Sequence, residues 1–181
     1  MRVLVMGGTG EVGHHVANGL AERGHAVTVL TRGRDGRGFP LDGRIRRVQA
    51  DKHDADALAA AVPVAPEVLI DTVPSATSVR IVHGLFAGKI RHYLHCSSTG
   101  VYAPLHYVPA DEEHDWAPKP GDFFAACAQR DAVALDLARQ GFPVTILRPT
   151  MIIGPGVLPV DNLGGRGAWF LPLVASGQPI E

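Results

Sequence analysis

Short apolar runs alternate along the chain with longer segments in which apolar residues recur every three or four positions. The first run, Arg2–Gly7, is almost continuously apolar, which is typical of a strand buried on both faces of a parallel sheet. Five further runs predict strands of the same kind: His25–Arg32, Arg44–Asp51, Glu67–Val73, Arg91–Ser98 and Phe142–Pro149.

Helical periodicity fills most of the gaps between these strands. Val12, Val16 and Leu20 recur every four positions and predict a helix from Glu11 to Arg23, ended by Gly24. Further helices are predicted at Asp54–Val62, Ser78–Gly88 and Phe123–Gly141. Because right-handed crossovers join parallel strands, the pattern predicts an α/β fold, a doubly wound Rossmann-like parallel sheet with strand order 3-2-1-4-5-6.

The composition narrows the classes of function. The chain has 181 residues, 46% of them hydrophobic, and its net charge of −1 disfavours general binding to nucleic acid. The apolar runs are too short for a membrane span, and a strand that begins at Arg2 leaves no room for a signal peptide. Two cysteines, Cys96 and Cys127, make no disulfide framework, so we expect a reduced, cytoplasmic setting.

Three glycines with the spacing GxxGxxG follow the first strand and open the first helix. That context distinguishes a dinucleotide-binding turn from a chance match. Glycine allows the tight turn, lets the backbone approach a diphosphate and permits close packing of helix on strand, while the helix N-terminus attracts the phosphates. The turn therefore predicts cofactor contacts from Gly7, Thr9, Gly10, Glu11, Val12 and Gly13.

The end of the second strand bears on the choice between the two nicotinamide cofactors. Proteins that bind NAD place an acidic residue there, on the ribose hydroxyl, whereas this chain has Thr31 and Arg32. A guanidinium pairs a 2′-phosphate through two hydrogen bonds, so the pattern favours NADP(H) over NAD(H), with Arg32 as the ligand. Arg34 and Arg37 are further candidates, and a solvated arginine-rich loop is the alternative.

With these residues the chain resembles the extended short-chain dehydrogenase/reductase family, in particular its NAD-dependent epimerase/dehydratase group. The resemblance runs from Met1 to about Gly156, and beyond the glycine turn it rests on four motifs: ADKHDADAL, DTVPSA, CSSTGVY and LRPTMIIGPG. It implies a dinucleotide-binding domain over residues 1–150. The glycine- and proline-rich residues 151–181 would then begin a C-terminal substrate lobe that is truncated here.

The resemblance also assigns residues to the site. Ser98, four positions before Tyr102, matches a catalytic hydroxyl that polarises the substrate oxygen, and with Ser97 it follows a strand, where such sheets bind ligands. Capping of a turn is the alternative for Ser98. The resemblance also implies contacts with the adenine from Asp51 and Lys52. It places Thr72, Val73 and Pro74 along the middle of the cofactor, and Pro149 and Thr150 near the nicotinamide.

The chain departs from the family at its central pair. The family carries a tyrosine and a lysine four positions apart, where the ammonium lowers the tyrosine pKa so that the phenol can exchange a proton with substrate. Here Phe123 and Cys127 occupy those positions, and the helix contains neither residue type. Alternative proton donors lie in the loop Tyr102–Asp122, and Cys127 would need a neighbouring base to act as a nucleophile.

Two classes of function stay open. The first is an NAD(P)-binding oxidoreductase or epimerase-like enzyme acting on a small hydroxyl or carbonyl compound. The second is a catalytically degenerate cofactor-binding protein, such as a pseudoenzyme, an NADP(H) sensor or a non-redox cyclase-type scaffold. In both we expect a small-molecule partner, no nucleic acid, no membrane and no metal, since His14 and His15 lack further ligands at zinc spacing. Apolar residues at 169–171 raise a homo-oligomer as an expectation.

Overall fold

The computed structural model describes residues 1–33, 38–116, 119–122, 124–150, 152, 154 and 171–178. The chain divides into two units, residues 1–150 and 151–181. In the second unit, the described residues form one short helix, Leu171–Ala175, after which the Ser176 hydroxyl donates to the Pro172 carbonyl at 2.8 Å. The expected apolar surface at Trp169 and Phe170 lies outside the described residues, as does the side chain of Leu171.

In the first unit, the described residues contain six strands, all pairing in parallel in the order β3-β2-β1-β4-β5-β6, which confirms the predicted fold class and strand order. The strands are β1 (Arg2–Met6), β2 (Ala26–Thr31), β3 (Arg46–Gln49), β4 (Val68–Asp71), β5 (His92–Cys96) and β6 (Val144–Leu147). The helices are α1 (Glu11–Glu22), α2 (Ala55–Ala61), α3 (Ala76–Phe86) and α4 (Ala125–Arg139), and a 3-10 helix spans Thr99–Tyr102.

Most element boundaries differ from the prediction by one or two residues, and for two of them the structure shows a local reason. β3 begins at Arg46 because the Ile45 N–H bonds the Asp42 carbonyl at 3.0 Å in a turn that precedes the strand. α3 begins two residues early, since the Ser75 hydroxyl accepts from the Ser78 N–H at 3.0 Å and the Ser78 hydroxyl accepts from the Ser75 N–H at 2.9 Å. This reciprocal pair caps the helix N-terminus.

The core occupies both faces of the sheet. Along β1 the side chains alternate, with Leu4 and Met6 packing under α2, α3 and α4, while Val3 and Val5 pack against α1. Helices on both faces are the arrangement expected of a doubly wound sheet, which leaves the carboxyl ends of the strands open along one edge. None of the described helices is both long and apolar enough to cross a membrane.

Candidate functional site

The glycine turn joins β1 to α1 at the carboxyl edge of the sheet. Gly7 has a φ of +79°, a conformation that favours glycine, and the Gly10 N–H closes the turn on the Gly7 carbonyl at 3.0 Å. Gly10 is the N-cap residue of α1 and provides no side-chain hydrogen bond to the first turn. Thr9, Glu11 and Val12 are half-buried around the turn. The positive end of the helix is thus presented at the edge where ligands bind in such folds.

Close packing explains why side chains are missing from this turn. A Cβ on Gly13 would overlap the Gly7 carbonyl oxygen and lie 2.7 Å from the Gly8 Cα. A Cβ on Gly7 would lie 2.5 Å from the Thr72 Oγ1, and one on Gly8 would lie 2.6 Å from a Val29 methyl. The role of Gly8 was missed at the sequence level, because nothing in the spacing shows that β2 lies so near. The turn forms a cradle of the kind a diphosphate requires.

The segment that follows β4 is fixed against this turn. Both the backbone N–H and the hydroxyl of Thr72 donate to the Met6 carbonyl, at 3.1 and 3.0 Å. Val73, although apolar, is 57% exposed, whereas Pro74 is buried. The structure therefore brings Thr72, Val73 and the glycine turn together at the junction of β1 and β4, where the strand order reverses.

Lys52 points beneath this segment. Its ammonium donates to both carboxylate oxygens of Asp71, at 3.1 and 3.3 Å, and to the Val73 carbonyl oxygen. Asp71 is fully buried and also accepts from the Ser78 hydroxyl at 3.3 Å and the Val73 N–H at 3.1 Å. The Lys52–Asp71 ion pair ties the end of β3 to the end of β4, so the Lys52 ammonium is engaged inside the protein.

Asp51 lies on the surface beside this ion pair. Its carboxylate accepts from the backbone N–H and from the ring Nδ1 of His53, both at 2.9 Å, and the other ring nitrogen bonds the Ser75 hydroxyl at 2.9 Å. The His53 backbone bond, then its side-chain bond, and to a smaller extent the charge of Arg32 lower the pKa of Asp51. Asp51 therefore presents a fixed negative acceptor at the end of β3.

Arg32, at the end of β2, is exposed. Its carbonyl accepts from the Gln49 side chain at 3.4 Å, and the Gly33 N–H after it bonds the Thr31 hydroxyl at 3.2 Å. These bonds fix the backbone around Arg32 and leave its guanidinium on the surface near Asp51. Arg34 and Arg37 lie outside the described residues.

Ser97 and Ser98 follow β5 and differ in their surroundings. Ser98 is half-buried and caps the 3-10 helix, since its hydroxyl oxygen accepts from the Gly100 N–H at 3.1 Å. The Ser98 proton is left to donate. Ser97 is 6% exposed, and its hydroxyl has no hydrogen-bond partner of normal geometry, although it lies near enough to Asp131 to help lower the pKa of that carboxyl. The Pro149 carbonyl accepts from the Thr99 N–H at 3.1 Å, which holds β6 against this turn, and Thr150 is exposed.

The start of α4 lies opposite these serines. Cys127, in the lysine position, is half-buried, and Phe123, in the tyrosine position, lies outside the described residues. The ring of the neighbouring Phe124 covers Gly100 so closely that a Cβ there would overlap it. The N-terminus of α4 and the turn after Ser98 therefore pack directly against each other.

The proton donors suggested for the preceding loop are placed differently from one another. His114 is 2% exposed, with Nδ1 donating to the Asp115 carbonyl at 2.9 Å and Nε2 accepting from the His106 N–H at 3.1 Å, so both nitrogens are occupied. Tyr107 is exposed, and its hydroxyl donates to Asp111 at 3.1 Å. Tyr102 is buried and Lys119 is exposed.

A buried polar network next to the serines was not found from the sequence. Asp131 of α4 accepts from the Nε2 of His95 at 3.0 Å and from the Nε of Arg148 at 2.9 Å. Arg148 also donates to the Tyr102 hydroxyl at 2.5 Å and lies 5.0 Å from the Trp116 ring. Burial acts to raise the pKa of Asp131, but its interactions with His95, Ser97 and Arg148 outweigh burial and lower that pKa. The network joins β5, α4, β6 and the 3-10 helix.

One cavity lies apart from the glycine turn. A groove of about 520 Å³ follows α4 and β6 beside Trp116, and no residue of the turn lines it.

Across the part of the chain that the structure describes, no group of three or more His, Cys, Asp or Glu residues is arranged to hold a metal ion. The His14 ring instead stacks on Phe39 at 4.0 Å and bonds the Gly10 carbonyl at 2.9 Å.

The sequence profile of the NAD(P)H-binding family matches residues 7–156, which include the glycine turn and the whole of β2 to β6. The chain belongs to this family. Similarity to solved structures agrees with the predicted fold: the dTDP-glucose 4,6-dehydratase of Bacillus anthracis, solved in complex with NAD, superimposes with a TM-score of 0.78 at 15% identity, over 99% of this chain and 63% of that one.

Two relatives are similar in sequence. A chloroplast stem-loop binding protein of 41 kDa from Arabidopsis thaliana is 27% identical over 99% of this chain and 48% of its own length. A 3-diazoavenalumate denitrifying reductase from a Streptomyces species is 40% identical over 44% of this chain and 25% of its own length. The chain thus spans about half the length of the first relative and a quarter of the second.

Proposed function

We propose that the chain is the cofactor-binding part of an NADP(H)-dependent oxidoreductase or epimerase/dehydratase-like enzyme that acts on a small hydroxyl or carbonyl compound. The observation that carries the proposal is the cradle at the glycine turn, where Gly13 meets the Gly7 carbonyl and the N-terminus of α1 is presented without a capping side chain. Residues 1–150 are proposed as the dinucleotide-binding domain and residues 151–181 as the beginning of a substrate lobe.

The residues around the cradle suit the parts of a dinucleotide in the order of the strands. The glycine turn takes the diphosphate, with Thr72 and Val73 against its other side. Asp51, at the end of β3, accepts from the adenine amino group, and the exposed Arg32 guanidinium pairs the 2′-phosphate. Lys52 acts from below, because its bonds to Asp71 and the Val73 carbonyl hold the segment that lines the cofactor.

The chemistry that the cofactor supplies when bound is the transfer of a hydride. The Ser98 hydroxyl polarises the substrate oxygen: its own oxygen already accepts from the Gly100 N–H, so its proton is directed to an acceptor outside the turn. Pro149 and Thr150 lie on the neighbouring strand end and border the same part of the pocket. The hydride is accompanied by one proton, and the group that exchanges this proton with substrate is not a tyrosine or lysine of α4, because the helix contains neither.

Titration with NADPH and NADH tests the cofactor assignment. We expect quenching of tryptophan fluorescence or enhancement of NADPH fluorescence on binding, with Arg32→Ala weakening NADPH roughly tenfold or more and NADH far less, since a charge-assisted phosphate contact is lost. Arg139→Ala, which removes an exposed arginine at the far end of α4, is the matched control. Equal losses for both cofactors would remove Arg32 from the 2′-phosphate, and no binding of either would refute the proposal.

A catalytically degenerate protein is the second candidate, and the half-buried Cys127 in the position of the family's lysine favours it. The two candidates differ in the effect of Ser98→Ala. An enzyme loses turnover of NADPH with carbonyl compounds while cofactor affinity stays within about twofold; a sensor or cyclase-type scaffold has no such turnover to lose. Absence of NADPH oxidation by the wild type across a broad panel of carbonyl compounds would favour the second candidate.

A small molecule is the proposed partner, in a cytoplasmic setting, with self-association of the chain as a secondary expectation. The name of the Arabidopsis relative refers to stem-loop binding. We propose that nucleic acid is not a partner of this chain, because its net charge of −1 offers little attraction to a phosphate backbone. Binding of a stem-loop RNA at physiological salt, unaffected by saturating NADPH, would contradict this part of the proposal.

A further inference from the structure

The Arg130 side chain of α4 contacts the segment that follows β4. It lies one turn beyond Cys127, and its Nη1 donates to the Pro74 carbonyl at 3.4 Å, a long bond. Its Nε is buried and has no hydrogen-bond partner. The guanidinium therefore lies at the carboxyl edge of β4 with part of its donor capacity unused.

The positive charge of Arg130 is also uncompensated. The two buried carboxylates of this region, Asp71 and Asp131, pair with Lys52 and Arg148 instead. Among the described residues, no carboxylate forms an ion pair with Arg130. Its charge reaches the end of β5: burial raises the pKa of the Cys96 thiol, and the Arg130 guanidinium opposes that rise. A half-buried arginine without a carboxylate is costly unless a ligand accepts its hydrogen bonds.

The strand order indicates which part of a ligand reaches Arg130. β4 and β5 lie on the opposite side of β1 from β2 and β3. If the diphosphate occupies the turn after β1 and the adenosine extends over β2 and β3, the second nucleoside extends over β4 and β5. Its ribose carries two hydroxyl groups, which accept hydrogen bonds from a guanidinium.

We propose that Arg130 binds the ribose on the nicotinamide side of the cofactor. It thereby provides, from the next turn of α4, a positive charge that the Cys127 side chain does not carry. This inference rests on the proposed function. It assigns to Arg130 a cofactor-binding role that neither the glycine turn nor the motif after β5 indicates. The unused Nε and the long Nη1 bond give the side chain freedom to turn toward the ribose.

Fragment binding tests the assignment. Calorimetry compares ADP-ribose, which keeps the second ribose, with ADP, which lacks it, or their 2′-phosphorylated forms if the wild type requires that group. Arg130→Ala is expected to weaken ADP-ribose and the whole cofactor roughly ten- to hundredfold, as for a lost hydrogen bond from a charged donor, and to leave ADP within about twofold. Arg130→Lys should keep part of the affinity, and Arg130→Gln should lose most of it.

Arg80→Ala is the matched control, because the exposed Arg80 on α3 also bonds only a backbone carbonyl, that of Ala76, at 3.4 Å. It should change no affinity. Circular dichroism establishes folding, and if Arg130→Ala unfolds, the Lys and Gln variants carry the comparison. If the Arg130 variants bind ADP-ribose with unchanged affinity, or lose as much affinity for ADP, the inference is overturned. The proposed function still stands in that case, provided that the wild type binds the cofactor. Failure of the wild type to bind any of these ligands overturns the proposed function itself.

Discussion

Replacing Asp131 by alanine tests the buried network at the end of α4. Asp131 is fully buried and is the acceptor for two donors, His95 at 3.0 Å and Arg148 at 2.9 Å. His95 is itself fully buried, and the side chain of Arg148 is 13% exposed. The substitution leaves the His95 Nε2 and the Arg148 Nε without their acceptor in a region that water scarcely reaches, and the guanidinium keeps the Tyr102 hydroxyl. We expect the free energy of unfolding to fall by about 3–5 kcal/mol, the cost of breaking a buried pair by removing one partner.

The same helix offers the control. Asp136 also pairs with an arginine, Arg139 at 2.6 Å, but the two side chains are 64% and 74% exposed. Asp136→Ala is expected to cost about 0–1 kcal/mol, since water replaces the lost partner. The comparison is informative because the exposed pair has the shorter distance. An argument from distance alone predicts that Asp136→Ala loses more stability than Asp131→Ala.

Urea unfolding followed by far-UV circular dichroism measures both variants, with an unchanged denaturant dependence as the condition for comparing them. For a chain of this size the expected loss at Asp131 lowers the melting temperature by roughly 6–20 °C. Equal losses for Asp131→Ala and Asp136→Ala would refute the reasoning. That result would mean that the network is open to solvent or that His95 and Arg148 find other acceptors.

Three further predictions concern the packing and charges of the first unit. Gly13→Ala should abolish cofactor binding and destabilise the fold, because its Cβ overlaps the Gly7 carbonyl. Gly19→Ala on the same helix meets only the end of a flexible arginine at 3.3 Å and should stabilise the fold by about 0.5–1 kcal/mol. Thermal melts and NADPH titration of both variants check this, and similar melting temperatures would contradict it. Lys52→Met should cost about 3–5 kcal/mol by leaving the buried Asp71 unpaired, as measured by urea unfolding, and a loss below 1 kcal/mol would show that the Ser78 and Val73 donors suffice. Because the pKa of Asp131 is lowered in the folded state, its contribution to stability is complete above its unfolded pKa of about 3.9 and is lost as the pH falls through the folded pKa. The difference in unfolding free energy between wild type and Asp131→Asn should therefore be constant above about pH 5 and narrow below about pH 4. Urea unfolding measures this difference, and a constant value down to about pH 2 would contradict the prediction.

The fold was predictable because its signals are local. β1, the glycine turn and α1 follow one another within residues 2–22, and each is set by neighbouring residue types: an apolar run, three spaced glycines and a four-residue apolar repeat. The boundary errors at α3 and β3 arose from a helix cap made by the Ser75 side chain and from a turn closed on the Asp42 backbone carbonyl, since the apolar pattern carries no signal for such caps and turns.

The site was less accessible because its contacts are distant along the chain. Lys52 meets Asp71 across 19 residues, and His95 meets Asp131 across 36. The resemblance to the dehydrogenase family placed Lys52 beside the adenine, but it carried no information about which way the side chain turns. Charged residues such as Arg130 are ordinary on a helix surface, and only the structure distinguishes it from Arg80. Residue type at a strand end is thus visible in a sequence, whereas pairing between elements is not.

The central position of β1 also has a consequence for biosynthesis. β1 lies between β2 and β4, so the sheet can form around it as soon as β4 has been made, and β4 ends at residue 71. A nascent chain that has emerged to just beyond that point carries four contiguous strands and the glycine turn, while β5 and β6 add later at a single edge. The glycine turn can therefore assemble outside the ribosome before the segment bearing Ser98 and α4 has emerged from it.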